Sequence, residues 1–197
     1  MTFETTNQLN EAKHNMLTHQ VREQFMLNDA IFKLIAQNAR HAFVPSAYRQ
    51  LAYTEMNIPI GHDQVMMKPN EEARLLEAVA IQPHEKVLEL GTGTGYLTAL
   101  LAQQAQQVVT VDYFAEFTQT ARANLQPLHL DNITYVTEDG SQGLADYAPF
   151  DVICLTAGMA KLPQAFLDQL TPQGRLFAVI GHSPAAMTAT LVNKKQQ

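Results

Sequence analysis

Apolar side chains recur at helix spacing through the first fifty residues. Leu9, Ala12 and Met16 form one stripe and Ala30, Ile31, Leu34 and Ile35 a second, with Asn28-Asp29 between them as a helix cap. Residues 51–68 break the period and read as irregular chain around Pro59, Gly61 and the apolar run Val65-Met66-Met67. Pro69 then opens a helix, since its fixed φ suits a first helical turn and Glu71 and Glu72 complement the helix dipole. Ala73, Leu76, Val79 and Ala80 are the expected buried face of that helix.

From residue 86 onward, short apolar runs alternate with helical stretches. This is the pattern of a parallel sheet covered on both faces, whose strands lose the polar alternation of a half-solvated sheet. Strands are predicted at 86–90, 107–112, 132–137, 150–155 and 174–180, and helices near 95–104, 114–125 and 163–170. Each intervening stretch is long enough for a right-handed crossover. Without internal repeats or low-complexity linkers, residues 1–197 are expected to form a single α/β domain, with 1–68 as a helical extension and 69–197 as the core.

Composition narrows the partners. The 197 residues are 46% apolar and 16% charged, an ordinary globular balance that needs neither crosslink nor metal to hold a core. A net charge of -6 and a pI near 5.6 argue against a binder of phosphate backbones, so nucleic acid is not an expected partner. No apolar stretch is long enough to span a bilayer, and the polar start with Glu4, Asn7 and Glu11 is unlike a signal peptide; no membrane partner and a cytoplasmic location are expected. Cys154, inside Val152-Ile153-Cys154-Leu155, reads as a small buried hydrophobe. The histidines lack metal-ligand spacing, so no metal is expected, and His62 reads as a turn residue. Ser141 and Ser183 lack the framework of a hydrolase, and Lys161 and Arg175 are candidate charge partners that read better as solvated surface charges.

The candidate chemistry sits after the strand Lys86-Val87-Leu88. There Glu89-Leu90-Gly91-Thr92-Gly93-Thr94-Gly95-Tyr96 leads from strand to helix, where a doubly wound sheet places a ligand. A dinucleotide fingerprint needs a glycine where Tyr96 stands, so that assignment fails. A carboxylate two residues before Gly91 suits a cationic amino group better than a pyrophosphate. The pattern resembles the binding motif of class I S-adenosylmethionine-dependent methyltransferases, which implies a Rossmann-like doubly wound sheet. Asp112, ending the second strand, is placed to accept from ribose hydroxyls, and Asp139-Gly140, ending the third, to accept from an adenine amino group.

Further segments, in order, resemble the protein-L-isoaspartate O-methyltransferase family, whose members methylate isoaspartyl carboxylates in damaged proteins. They are Arg40-His41-Ala42-Phe43-Val44-Pro45, Ala52-Tyr53, Ile58-Pro59-Ile60-Gly61, Glu138-Asp139-Gly140, Pro149-Phe150-Asp151, Thr156-Ala157-Gly158, Leu162-Pro163 and Gln169-Leu170-Thr171-Pro172-Gln173-Gly174-Arg175-Leu176. The resemblance implies S-adenosyl-L-methionine as cofactor, bound by Gly91, Gly93, Gly95, Asp112, Asp139 and Gly140 with Glu89 beside its methionine end. It also implies an acceptor lip over 58–67, with Ile58, Ile60, Gly61 and Met66 meeting a protein or peptide that carries isoaspartate.

The lip departs from the family pattern. Where members read Gln-Thr-Ile-Ser-x-Pro, with the serine at the active site, this chain reads Gln64-Val65-Met66-Met67-Lys68-Pro69, and Asn70 replaces a usual aromatic or His. Methionine is bulkier than serine and donates no hydrogen bond. Two other readings therefore stay open: a methyltransferase of this fold acting on another acceptor, and a non-catalytic S-adenosylmethionine-binding protein. Family members also add strand-rich chain after the last predicted strand; here either the sheet has fewer strands or a neighbouring subunit completes its edge.

Overall fold

A computed structural model describes residues 3–22, 28–182 and 186–195; Ser183 lies outside them. The chain divides into two compact units, Met1–Glu77 and Ala78–Gln197.

In the first unit, α1 (Phe3–Asn15) continues into a π turn, Met16–Arg22, and buries Leu9 and Met16 of the predicted stripe. The cap expected at Asn28 forms: its side chain accepts from the Ala30 N–H at 2.8 Å and opens α2 (Asp29–Gln37), which buries Ile31 and Ile35. The expectation of irregular chain over 51–68 is corrected. β1 (Ile58–Gly61) and β2 (Gln64–Met66) form an antiparallel hairpin in which Ile58 pairs with Met66 and both are buried. His62 and Asp63 turn it with φ of 49° and 54°, a conformation in which Asn-Gly is the usual signal, and Pro59 further hid the strand.

α3 (Pro69–Val79) starts at the predicted proline, with the Lys68 N–H donating to Glu71 Oε2 at 2.9 Å. Ala73, Leu76 and Val79 are buried as expected, together with Leu75 and Glu72. Ala80 is not: it follows the helix with φ of 45° and is exposed.

The second unit holds β3 (Lys86–Leu90), β4 (Gln107–Asp112), β5 (Ile133–Thr137), β6 (Phe150–Met159), β7 (Leu170–Ile180) and β8 (Thr188–Asn193) in the order β5-β4-β3-β6-β7-β8. The first five are parallel, and the order reverses between β3 and β6, as a doubly wound sheet requires. The helices are α4 (Tyr96–Ala102), α5 (Ala115–Leu125) and α6 (Gln164–Asp168). α6 is shorter than the predicted 163–170 because Leu170 already belongs to β7.

β8 was not anticipated. It pairs antiparallel with β7 from Arg175↔Asn193 to Ile180↔Thr188, so the chain itself supplies the strand beyond β7, and the sheet is mixed. Its sequence, Thr-Ala-Thr-Leu-Val-Asn, is that of a half-exposed edge and carries no buried apolar run.

Leu88, Val109, Val111, Ile153, Leu155 and Leu176 form the core on one sheet face. In register with Thr110 and Cys154, Glu89 occupies the alternate position. Cys154 is wholly buried as predicted, and burial, then the nearby Glu89 carboxylate, pushes its thiol far above the ordinary value. Lys161 is exposed, but Arg175 is not the solvated charge expected: it pairs with Glu85 through Nη1 to Oε1 at 2.7 Å and Nη2 to Oε2 at 2.8 Å.

Candidate active site

The glycine turn begins where β3 ends. The Gly91 N–H donates to the Val111 carbonyl at 2.9 Å, and Gly91, Gly93 and Gly95 take φ of 97°, 52° and 88°. L-residues reach these conformations only with strain, and space is also limiting: a Cβ on Gly91 would lie 2.3 Å from Thr156 Oγ1, and one on Gly95 would lie 2.9 Å from Ala121 Cβ. Thr156 holds the same turn by donating to the Leu90 carbonyl at 2.7 Å.

Asp112 stands at the end of β4, beside that turn. Its Oδ2 accepts from the Gly93 N–H at 3.0 Å and its Oδ1 from the Phe114 N–H at 3.1 Å. Each carboxylate oxygen has more than one acceptor site, so these two bonds orient the group while leaving it able to accept from further donors.

Asp139 follows β5 and is exposed, its Oδ1 accepting from the Ser141 N–H at 2.9 Å; the bonds from Ser141 hold its carboxyl below the ordinary value. Gly140 is buried, and a Cβ there would meet Leu90 Cδ1 at 2.3 Å and Val111 Cγ1 at 3.0 Å, so a larger residue would have to displace the Leu90 side chain. The following loop is clamped by Gln169, whose Oε1 accepts from the Leu144 N–H at 2.7 Å and whose Nε2 donates to the Gln142 carbonyl at 2.8 Å.

Glu89 lies beneath the surface. It has 0% exposure, and its Oε2 accepts from Thr98 Oγ1 at 2.6 Å and Thr110 Oγ1 at 2.7 Å. Sequence alone gives no individual role to Thr92, Thr98, Thr110 or Gln169. Polar residues within apolar runs, such as Thr110 among Val108, Val109 and Val111, were the available signal.

In the other unit, the predicted lip residues separate by burial. Ile58 and Met66 belong to the core, Ile60 and Met67 are half-buried, and Gly61 and Val65 are exposed. Segment 58–67 is anchored at its end by Arg40, another residue given no role from sequence. The buried guanidinium donates to the carbonyls of Ala52, at 2.8 Å, and Met67, and to the Glu72 carboxylate. Burial pushes the Glu72 carboxyl up to about 7 against the pull of Arg40. His41 Nδ1 lies 2.8 Å from the Tyr53 hydroxyl, whose pKa burial raises to about 12.

Among the described residues, no helix is long and apolar enough to cross a membrane.

The family model described as protein-L-isoaspartate(D-aspartate) O-methyltransferase matches residues 11–197. A Koribacter versatilis protein-L-isoaspartate O-methyltransferase is 40% identical over 180 residues, covering 91% of this chain and 81% of that relative. A solved protein-L-isoaspartate O-methyltransferase aligns with a TM-score of 0.76 and 25% identity over 93% of this chain and 60% of its own. A Plasmodium falciparum protein assigned as a beta-aspartate methyltransferase, solved with S-adenosyl-L-homocysteine, shares the fold with a TM-score of 0.73 and 18% identity over 97% of this chain and 89% of its own. These matches bear out the resemblance drawn from the motifs and do not favour another acceptor or a non-catalytic role. The chain belongs to the protein-L-isoaspartate(D-aspartate) O-methyltransferase family, and it is an enzyme of that type.

Proposed function

We propose that the chain transfers a methyl group from S-adenosyl-L-methionine to the carboxylate of isoaspartyl residues in protein or peptide substrates, with Met67 at the family's serine position. The observation that carries the cofactor half is the junction of the glycine turn with Asp112 at the ends of β3 and β4. The residues suit the cofactor: Asp112 keeps acceptor capacity for ribose hydroxyls, the turn carries no side chain at Gly91, Gly93 or Gly95, and Asp139 offers an exposed acceptor. The proposed binding set is therefore Gly91, Gly93, Gly95, Asp112, Asp139 and Gly140. The bound cofactor would supply an electrophilic methyl on its sulfonium.

The acceptor carboxyl, with a pKa of about 4, is already ionised at neutral pH, so no strong base is needed and orientation is the main requirement. Met67 offers no hydroxyl. If serine contributes one hydrogen bond to the acceptor carboxylate, its loss is worth about 1.5–3 kcal/mol, or roughly ten- to hundredfold in rate. Arg40 fixes the Met67 backbone and leaves the side chain to shape the lip that Ile58, Ile60, Gly61 and Met66 complete.

The test is transfer of labelled methyl to an isoaspartyl peptide and to its normal aspartyl twin. Base-labile label on the isoaspartyl peptide alone is the expected outcome, with Met67→Ser raising the rate. A wild type silent on both peptides, with Met67→Ser equally silent, would refute the acceptor assignment.

A further inference from the structure

A carboxylate inside a sheet needs donors, and two that serve Glu89, Thr98 and Thr110, are hydroxyls with one proton each. Thr110 gives its proton to Glu89 Oε2, so the 2.7 Å bond between Thr92 Oγ1 and Thr110 Oγ1 must be donated by Thr92. The bonds therefore have one sense: Thr92 donates to Thr110, Thr110 donates to Glu89, and Thr98 donates to the same carboxylate oxygen. Thr98 belongs to α4, Thr110 to β4, and Thr92 to the glycine turn between Gly91 and Gly93. The next amide, that of Gly93, donates to Asp112. A continuous path thus leads from Glu89 through the turn to the acid proposed to hold the ribose.

A side chain with no accessible surface is not reached by a diffusible ligand while its cover stays in place. Glu89, Thr98 and Thr110 all have 0% exposure. We infer that Glu89 is a positioning residue: it acts on the cofactor by holding Thr92 and hence Gly93 and Asp112, and it does not contact the cofactor's amino end. This rests on the proposed use of S-adenosyl-L-methionine.

The two roles make opposite predictions about which ligand suffers. An acid that pairs with an ammonium matters only for ligands carrying one, whereas an acid that shapes the turn matters for every ligand the turn holds. Titration calorimetry with S-adenosyl-L-homocysteine and with 5′-methylthioadenosine, which lacks the amino-acid arm, separates them. Glu89→Leu is expected to weaken both ligands by the same factor, roughly ten- to hundredfold, the scale of lost hydrogen bonds to a charged group. Glu89→Gln, nearly isosteric and still offering an acceptor oxygen, is expected to weaken both equally and by less. Thr110→Val is expected to reproduce the loss, and the Glu89→Leu/Thr110→Val pair to lose no more than the worse single change.

Loss in Glu89→Gln confined to S-adenosyl-L-homocysteine, with 5′-methylthioadenosine binding as in wild type, overturns the inference and leaves the proposed function standing. Additive losses in the double variant overturn it too. Failure of the wild type to bind S-adenosyl-L-homocysteine overturns the cofactor assignment and this inference with it.

Discussion

Removing the guanidinium of Arg175 breaks a two-pronged ion pair that ties chain segments 90 residues apart. In Arg175→Met, Glu85 loses both partners on that side, and the carbonyls of Val79 and Ala80 lose the donors that now serve them. A fully buried pair broken on one side costs about 3–5 kcal/mol, and an exposed pair is worth about 0–1 kcal/mol. With side chains 16% and 9% exposed, this pair lies between those limits, nearer the first. A loss of about 3 kcal/mol for Arg175→Met follows, with a coupling to Glu85→Gln of about 2 kcal/mol in a double-mutant cycle. Urea denaturation of the four proteins at pH 7 measures it; with a slope of about 2 kcal/mol per molar, the single change moves the midpoint by roughly 1.5 M.

Acid provides a second check on the same pair. Burial pulls the Glu85 carboxyl upward, but the hydrogen bonds from Arg175 and the Gln82 N–H, with the guanidinium charge, outweigh it and leave the group below its ordinary value of 4.5. A depressed folded pKa means stability that is present above the unfolded value and lost as pH falls through the folded one. Between pH 5 and 3, wild-type stability should therefore fall more steeply than that of Glu85→Gln. A coupling below about 0.5 kcal/mol at pH 7, or identical acid slopes, would show that solvent screens the pair and refute the reasoning.

Three other expectations follow from single positions. Gly95→Ala puts a Cβ 2.9 Å from Ala121 Cβ and 3.1 Å from its Cα at a φ of 88°, so a loss of about 2–4 kcal/mol is expected; Gly61→Ala, at φ of 107° with nothing within 4 Å, should lose only about 1–2 kcal/mol, and thermal unfolding in which the two lose equally would remove packing as the reason. Gln169→Leu removes both bonds to the loop after Gly140, and hydrogen exchange at the Leu144 amide should accelerate selectively; unchanged protection there would mean that the clamp is not what orders the loop. Because the Glu72 carboxyl is raised from 4.5 to about 7 by burial, it contributes stability that is complete below 4.5 and is lost as pH rises through 7, with a slope of up to about 1.4 kcal/mol per pH unit between them; Glu72→Gln should flatten that slope in urea titrations, and a slope that survives would place its origin elsewhere.

Periodicity in the chain was enough to place α2 with its Asn28 cap, α3 from Pro69, and the alternation of β3 through β7 with α4 and α5, because those signals lie within a few residues of the structure they specify. The glycine turn and the acids at successive strand ends were legible for the same reason, since topology puts the residue after an apolar run at the sheet's carboxyl edge. Short or half-exposed pieces escaped: β1 and β2 hid behind Pro59 and a turn without glycine, and β8 lacks an apolar run because only one side of an edge strand needs burying. The contacts of Arg175 with Glu85, of Gln169 with Leu144 and of Arg40 with Glu72 escaped too. Each joins residues between 25 and 90 positions apart, and a local pattern carries no record of which distant polar group meets which. Glu89 shows the division most clearly. Its place after an apolar strand made it a candidate from sequence, but cross-strand register with Thr110 and the packing of α4 turned its carboxylate inward, toward hydroxyls that a buried charge requires.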